Sequence, residues 1–405
     1  MKKALITLFI IILIIILSGM VYLLMQDEEG ENVINNFFPV GTVINYFQGQ
    51  SGSQVIDRQP TDGIRIDVTE NFIGTEAAVS RLNQNPISDF KTLQLGESIY
   101  IFYLDQQTGH LNVLNTNELN GNPRRITNTT ISNTNNFHLN QSGGVVEIIV
   151  TNISDVFTGQ IPTIEITSEM SITPINLTRQ NSSINLITSN ENLNQTFYLE
   201  DFNSGTVGGT ANFNLTNKNE LFSSPIRWWQ AQLINEGLVA LIQPPSSNLE
   251  TDLYVLNLEN RETTRILNKI RGLTVLFNET GDQFIYTNNN DGYMRLFHYN
   301  LSTGIITETP FRTTVDKCSW ITNRSFVCGV PETVMRGDYP DDWYKGNTDF
   351  NDNLWIYNNM ESFFRVVNLE NKDVKKLHLT ENHLFFINKK DNGLYYIRKE
   401  DMFLI

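Results

Sequence analysis

Basic residues are scarce in this chain: 29 Lys and Arg stand against 44 Asp and Glu, a formal net charge of −15. No basic cluster interleaved with aromatics occurs. A phosphate backbone is gripped by such a surface, so nucleic acid is excluded as an expected partner. The acidic balance reads instead as a soluble exterior. Cysteine is scarcer still, with two in 405 residues, and the five histidines are scattered as His110, His138, His298, His378 and His383. None forms an i, i+4 metal pair on a helix, and two cysteines without a nearby histidine do not make a zinc site. No Gly-x-Ser-x-Gly elbow, P-loop or glycine-rich dinucleotide turn is present, which removes the commonest hydrolase and nucleotide signatures. Alanine is sparse, whereas Asn, Thr, Ser and Ile abound, and these suit strands and turns rather than long helices.

One long apolar run stands apart. Residues 1–3, Met-Lys-Lys, precede Ala4–Met25, which holds no charged residue. As a helix it is roughly 33 Å long, enough to cross a bilayer core. Lys2 and Lys3 before it, and Asp27, Glu28, Glu29 and Glu31 after it, place the amino terminus in the cytoplasm and the rest of the chain outside. A cleaved signal peptide is the competing reading, but the run exceeds a usual apolar h-region and no small-x-small site follows. No cysteine follows it to carry a lipid. Residues 26–62 read as an acidic, glycine-containing tether. The expected localisation is a cell membrane, single-pass, with the folded part (residues 63–405) extracytoplasmic.

The folded part is built from a repeat, cleanest at Leu273–Phe311. Four extended runs (Leu273–Phe277, Gln283–Thr287, Met294–Tyr299 and Gly304–Thr309) are separated by Asn278–Gly281, Asn290-Asp291-Gly292 and Ser302-Thr303-Gly304. Asp-Gly between aromatic and branched runs marks a hairpin, because its turn needs positive φ. From about Pro86 onward the inner hairpin recurs, with turns near Gly96, Ser142, Asn190, Asn235, Thr280, Asn323 and Glu381. The spacing is about 45 residues, except for one interval of about 58, and four strands in that length make one propeller blade. The expected fold is all-β: a seven-bladed β-propeller of four-stranded antiparallel blades, preceded by one transmembrane helix. A two-sheet sandwich has similar strand content but would not produce a steady period. The last unit lacks a fourth strand, and Gly63–Val68 is expected to supply it and close the ring.

The sixth unit, Val315–Val367, departs from the template. Cys318 and Cys328 fall opposite one another across a tight hairpin, within reach of a disulfide, with two buried thiols as the alternative. Between its second and third strands lies an insertion, residues 331–352, dense in Asp338, Tyr339, Asp341, Asp342, Trp343, Tyr344 and Asp349. Long loops on regular repeats often bind. Carboxylates beside aromatic rings suit a polyol, a glycan or a cationic peptide group, and oxygen ligands suit calcium, although the spacing is not that of an EF-hand. The competing reading is that these residues merely pin the loop to its blade. Asp341 and Asp342 are adjacent and read as a solvated turn. Of the pair Trp228-Trp229, one ring is expected in the core and one at the surface.

Ser80-Arg81-Leu82 with Asn85-Pro86-Ile87, Arg125–Ile131, Asp316–Val330 leading into Tyr339–Tyr344, Asp352-Asn353-Leu354-Trp355 and Leu384–Lys390 carry a family likeness. With them the chain resembles a family of membrane-anchored bacterial proteins bearing a WD40-like propeller of the TolB and dipeptidyl-peptidase type, frequent in candidate-phylum bacteria. The usual Ser-Pro-Asp-Gly turn of those propellers stands here as Asn-Glu-Thr-Gly and Asn-Gln-Ser-Gly. The resemblance implies a propeller and a membrane anchor, and it offers no catalytic residues. Its peptidase members need a following hydrolase domain, and none is expected before Ile405. The expected function is a binding or scaffolding module for an envelope protein or glycan. An enzyme using carboxylates near the insertion, and a purely structural surface protein, are the alternatives.

Overall fold

The computed structural model describes residues 79–168, 171–180, 184–189, 195–289, 291–358 and 363–402. The expectations for the membrane segment 4–25, the tether 26–62 and the strand Gly63–Val68 lie outside them. Among the described residues no helix is long and apolar enough to cross a membrane.

Among the described residues there are seven separate four-stranded antiparallel sheets, six of them simple meanders, as the repeat predicts. Blades 1 to 6 begin at Ile87–Leu95, Thr134–Ser142, Ile184–Ser189, Gln230–Asn235, Val275–Phe277 and Cys318–Thr322, and blade 7 at Val374–Leu379. The template unit resolves into Val275–Phe277, Gln283–Asn288, Arg295–Asn300 and Ile305–Glu308.

The ring closes differently from the sequence expectation. The fourth strand of blade 7 is Ser80–Arg81, paired as Ser80↔Tyr396 and Arg81↔Tyr395, and not Gly63–Val68. The following residues continue the clasp: Leu82 N donates to Leu394 O at 2.8 Å, and Leu394 N to Asn83 Oδ1 at 2.9 Å. Arg81 lies over the Tyr395 ring and reaches Asp391 at 3.5 Å. Residues 82–86 then carry the chain from the outer edge of blade 7 to the inner edge of blade 1. That crossing is three strand spacings, about 14 Å, which five extended residues just cover. A strand immediately before blade 1 therefore suffices, and a remote one is not needed.

A propeller blade buries both faces of its sheet, so alternate residues of one strand serve different neighbours. Leu384 and Phe386 pack toward blade 6, whereas Phe385 and Ile387 pack toward blade 1. Tyr100 and Phe102 turn to blade 2, Ile101 and Tyr103 to blade 7. Each of the seven gaps between blades holds one such apolar cluster. This explains the near-continuous apolar second strands.

The first strands line the axis and are joined by polar contacts. Thr92 Oγ1 meets His378 Nε2 at 2.8 Å, His138 Nδ1 meets Ser189 Oγ at 2.9 Å, and Leu233 N donates to Thr188 Oγ1 at 3.1 Å. Burial, reinforced by Lys376 and Lys91, lowers the His378 pKa to about 4 and holds His138 well below the ordinary imidazole range. Both rings are structural and neutral.

Candidate functional site

In a meander blade, the turns between second and third strands emerge on the same side of the ring as the blade-to-blade connections. The insertion belongs to that side, leaving blade 6 after Ser325–Pro331 and rejoining it at Asp352–Asn358. It is held down by a buried charge cluster that the sequence reading missed. Lys317, fully buried, places Nζ 2.8 Å from Asp352 Oδ2 and 2.6 Å from Asp373 Oδ1. Asp373 also accepts from Trp343 Nε1 at 3.1 Å and from Phe350 N at 3.0 Å. The ammonium lies 4.6 Å from the centre of the Phe350 ring and 5.1 Å from that of Trp343, within cation–π range. Burial raises the Asp352 pKa to about 6, with Lys317 opposing and Asp373 adding to the rise. Nothing in a one-residue acid or base marks such a cluster; only the fold brings residues 317, 352 and 373 together.

Against this anchor the expected site residues divide into two groups. Tyr339 and Trp343 are buried with Phe350 and Met294 in a small apolar cluster, and Tyr339 OH donates to Met335 O at 3.0 Å. Asp341 ties the insertion to blade 4, its Oδ2 accepting from Ser247 N at 2.6 Å. Burial acts to raise its pKa, but the Ser247 hydrogen bonds win and the net shift is downward. Tyr344 OH donates to Asp316 at 2.8 Å, and Asp349 pairs with Lys389 at 2.7 Å. For these five residues the pinning role is visible. Asp338 and Asp342 are different, because both line a cleft. Among the described residues no group of three or more His, Cys, Asp or Glu is placed to hold a metal ion.

That cleft, of about 470 Å³, is bounded by Ser247 and Asn248 of blade 4, Arg271 at the end of that blade's fourth strand, Asn289, Asp291 and Gly292 of blade 5, and Arg336, Gly337, Asp338 and Asp342 of the insertion. Its walls meet closely where side chains are absent. A Cβ on Gly272, at φ +66°, would lie 2.7 Å from the Tyr339 carbonyl oxygen, and one on Gly292, at φ +85°, 2.5 Å from Arg336 Cγ. Positive φ and close approach both require glycine here. The sequence marked Asn290-Asp291-Gly292 as a hairpin turn and Arg336 as part of the insertion. That the two meet, with Gly337 N donating to Gly292 O at 2.9 Å, is tertiary information.

The same face carries most of the large apolar side chains exposed among the described residues. Ile153, Leu249, Tyr293, Met335 and Tyr344 lie between second and third strands of blades 2, 4, 5 and 6, Phe202 ends the second strand of blade 3 at the same side, and Ile226 and Trp228 lie on the blade 3–4 connection. Ile164, Ile305 and Ile306 are the ones elsewhere. The tryptophan pair splits: Trp229 is buried, whereas Trp228 is 63 % exposed with Arg227 stacked on it at 4.8 Å. In blade 6, Cys318 and Cys328 are register partners joined by a disulfide.

No family model matches the chain, and no curated protein matches it. Among solved structures it is similar to an oligogalacturonate lyase in complex with manganese (9% identity, 80% of this chain and 97% of that one, TM-score 0.45). It is also similar to prolyl oligopeptidase B from Galerina marginata (11%, 76% and 48%, 0.47) and to a TolB-like protein from Agrobacterium tumefaciens (11%, 57% and 86%, 0.39). Its structural neighbours thus include TolB-like and peptidase propellers, and at these identities the likeness is one of fold alone.

Proposed function

We propose that the chain is a binding module that engages a protein or cell-envelope component through the insertion face of its propeller, tethered to a membrane by residues 4–25 with the ring outside the cytoplasm. The observation that carries this reading is the one-sided distribution of exposed apolar side chains around a polar cleft. Apolar groups scattered singly need no explanation, but their concentration on one face marks an interaction surface. Trp228, with its stacked Arg227, has the composition of an interface anchor. Two of the cleft carboxylates are engaged, Asp342 by Asp338 N at 2.9 Å and by Asn347 Nδ2 at 3.2 Å, and Asp291 by Arg295.

A photo-crosslinking amino acid placed at Trp228 or Met335 in intact cells should capture a discrete product, while the same probe at Ile164 or Ile305 should not. Equal capture at all four positions, or capture only at the latter two, would refute the reading.

A further inference from the structure

The cleft itself has a chemistry that the surrounding apolar face does not share. All of its lining side chains are polar: Ser247, Asn248, Asn289, arginines and aspartates, with two glycines between them. Setting aside Asp291, which is paired with Arg295, the charges balance: Arg271 and Arg336 against Asp338 and Asp342. A net anion or cation would gain little from such a site. Donors and acceptors are nevertheless both on offer. Among the described residues neither Arg271 nor Arg336 has a carboxylate within ion-pair distance.

A buried acceptor points the same way. Asn289 is 6 % exposed, and its Nδ2 donates to Gly337 O at 3.3 Å and Tyr339 O at 2.8 Å. Both partners are carbonyls, so the amide cannot be turned round, and Oδ1 accepts no hydrogen bond from the protein. Asp291 Oδ1, also on the cleft, is in the same position. A buried acceptor left so is costly, and a bound water, ion or ligand hydroxyl is what would satisfy it. Arg336 is exposed and lies against Gly292 at the same cleft.

We propose that the cleft binds a neutral saccharide, which rests on and deepens the reading of this face as a binding surface. Each sugar hydroxyl donates and accepts at once, which matches a site of interleaved guanidinium, carboxylate and amide groups with no net charge. The volume lies within the usual range of small-ligand sites. Tyr293, 39 % exposed, directly follows the cleft residue Gly292 in the chain and is an aromatic ring of the kind on which the apolar face of a sugar stacks.

The test uses the full chain, with detergent to keep the apolar segment in solution, and a panel of neutral di- and trisaccharides of hexoses and N-acetylhexosamines observed by saturation-transfer NMR. At least one should bind, with a Kd that changes less than twofold between low and high salt and weakens tenfold or more in Arg271→Ala and Asp338→Ala. Circular dichroism of both variants should match the parent. The proposal is overturned if no neutral sugar binds, if both variants bind unchanged, or if uronates, inorganic phosphate or peptides bind more than tenfold tighter than neutral sugars. Crosslinking at Trp228 and Met335 that persists alongside such a negative result would sink the saccharide site and leave the binding face standing.

Discussion

Replacing Lys317 by Met keeps the volume of the buried side chain and removes its charge, leaving Asp352 and Asp373 fully buried without a cation. Breaking a buried pair in this way costs about 3–5 kcal/mol at neutral pH, because the remaining charge is desolvated and unpaired. The cost should depend on pH with a definite sign. In the parent, Asp352 has a folded pKa of about 6, above the ~3.9 of an unfolded aspartate. Its contribution is thus fully present below pH ~4 and is lost as pH rises through 6. Between pH 7 and 5 the parent gains on the order of 1 kcal/mol from this group. With Lys317 gone, a stabiliser of the ionised form is removed and the pKa rises further, so the variant gains more over the same interval, up to roughly 3 kcal/mol. The deficit should narrow by about 1 kcal/mol on acidification. Urea unfolding followed by circular dichroism at pH 7, 6 and 5 measures it, and the axial histidines, unchanged in both chains, cancel in the difference. A deficit under about 1 kcal/mol at pH 7, or one that widens toward pH 5, would refute the reasoning.

His378, whose folded pKa of about 4 lies below the ordinary 6.5, contributes stability present above pH 6.5 and lost as pH falls through 4. Because His378 is only partly buried, solvent screening reduces the loss to on the order of 2 kcal/mol; His378→Gln should remove that share from the acid limb of the stability profile, and an unchanged limb would count against it. A chain starting at Val79 should unfold as cooperatively as the full chain, whereas one starting at Pro86 loses the clasp on blade 7 and on the order of 3 kcal/mol, at about 1 kcal/mol per hydrogen bond. Equal denaturation midpoints for the two truncations would contradict closure by Ser80–Arg81.

Period and turn chemistry made the ring legible from the sequence. Asp291-Gly292 and the recurring inner hairpins reported local backbone requirements, and local requirements are what a sequence states directly. Ser80–Arg81 escaped notice because a two-residue strand has no alternation to detect; its pairing with Tyr396 and Tyr395 is known only from the far end of the chain. Gly63–Val68 looked the better candidate because six alternating residues give a signal that two cannot.

The insertion shows the same limit at the level of function. Its acids and aromatics were visible as a cluster, but composition could not say which of them face inward. The fold sorts them by hydrogen-bonding geometry. Trp343, Phe350 and Asp341 are bound to Asp373 and Ser247, fixing the loop on blades 4, 6 and 7. The reading that these residues pin the loop and the reading that the insertion forms a site are therefore compatible. A loop built only for contact would lose conformational freedom each time it bound a ligand, and ordering a single residue costs on the order of 1–2 kcal/mol. Here the buried half of the insertion bears that cost during folding, so Arg336, Asp338 and Asp342 face the cleft from an already ordered backbone. On this argument the Lys317 cluster supports binding without touching the ligand, and Lys317→Met should weaken saccharide affinity through disorder of the loop even where the ring itself survives.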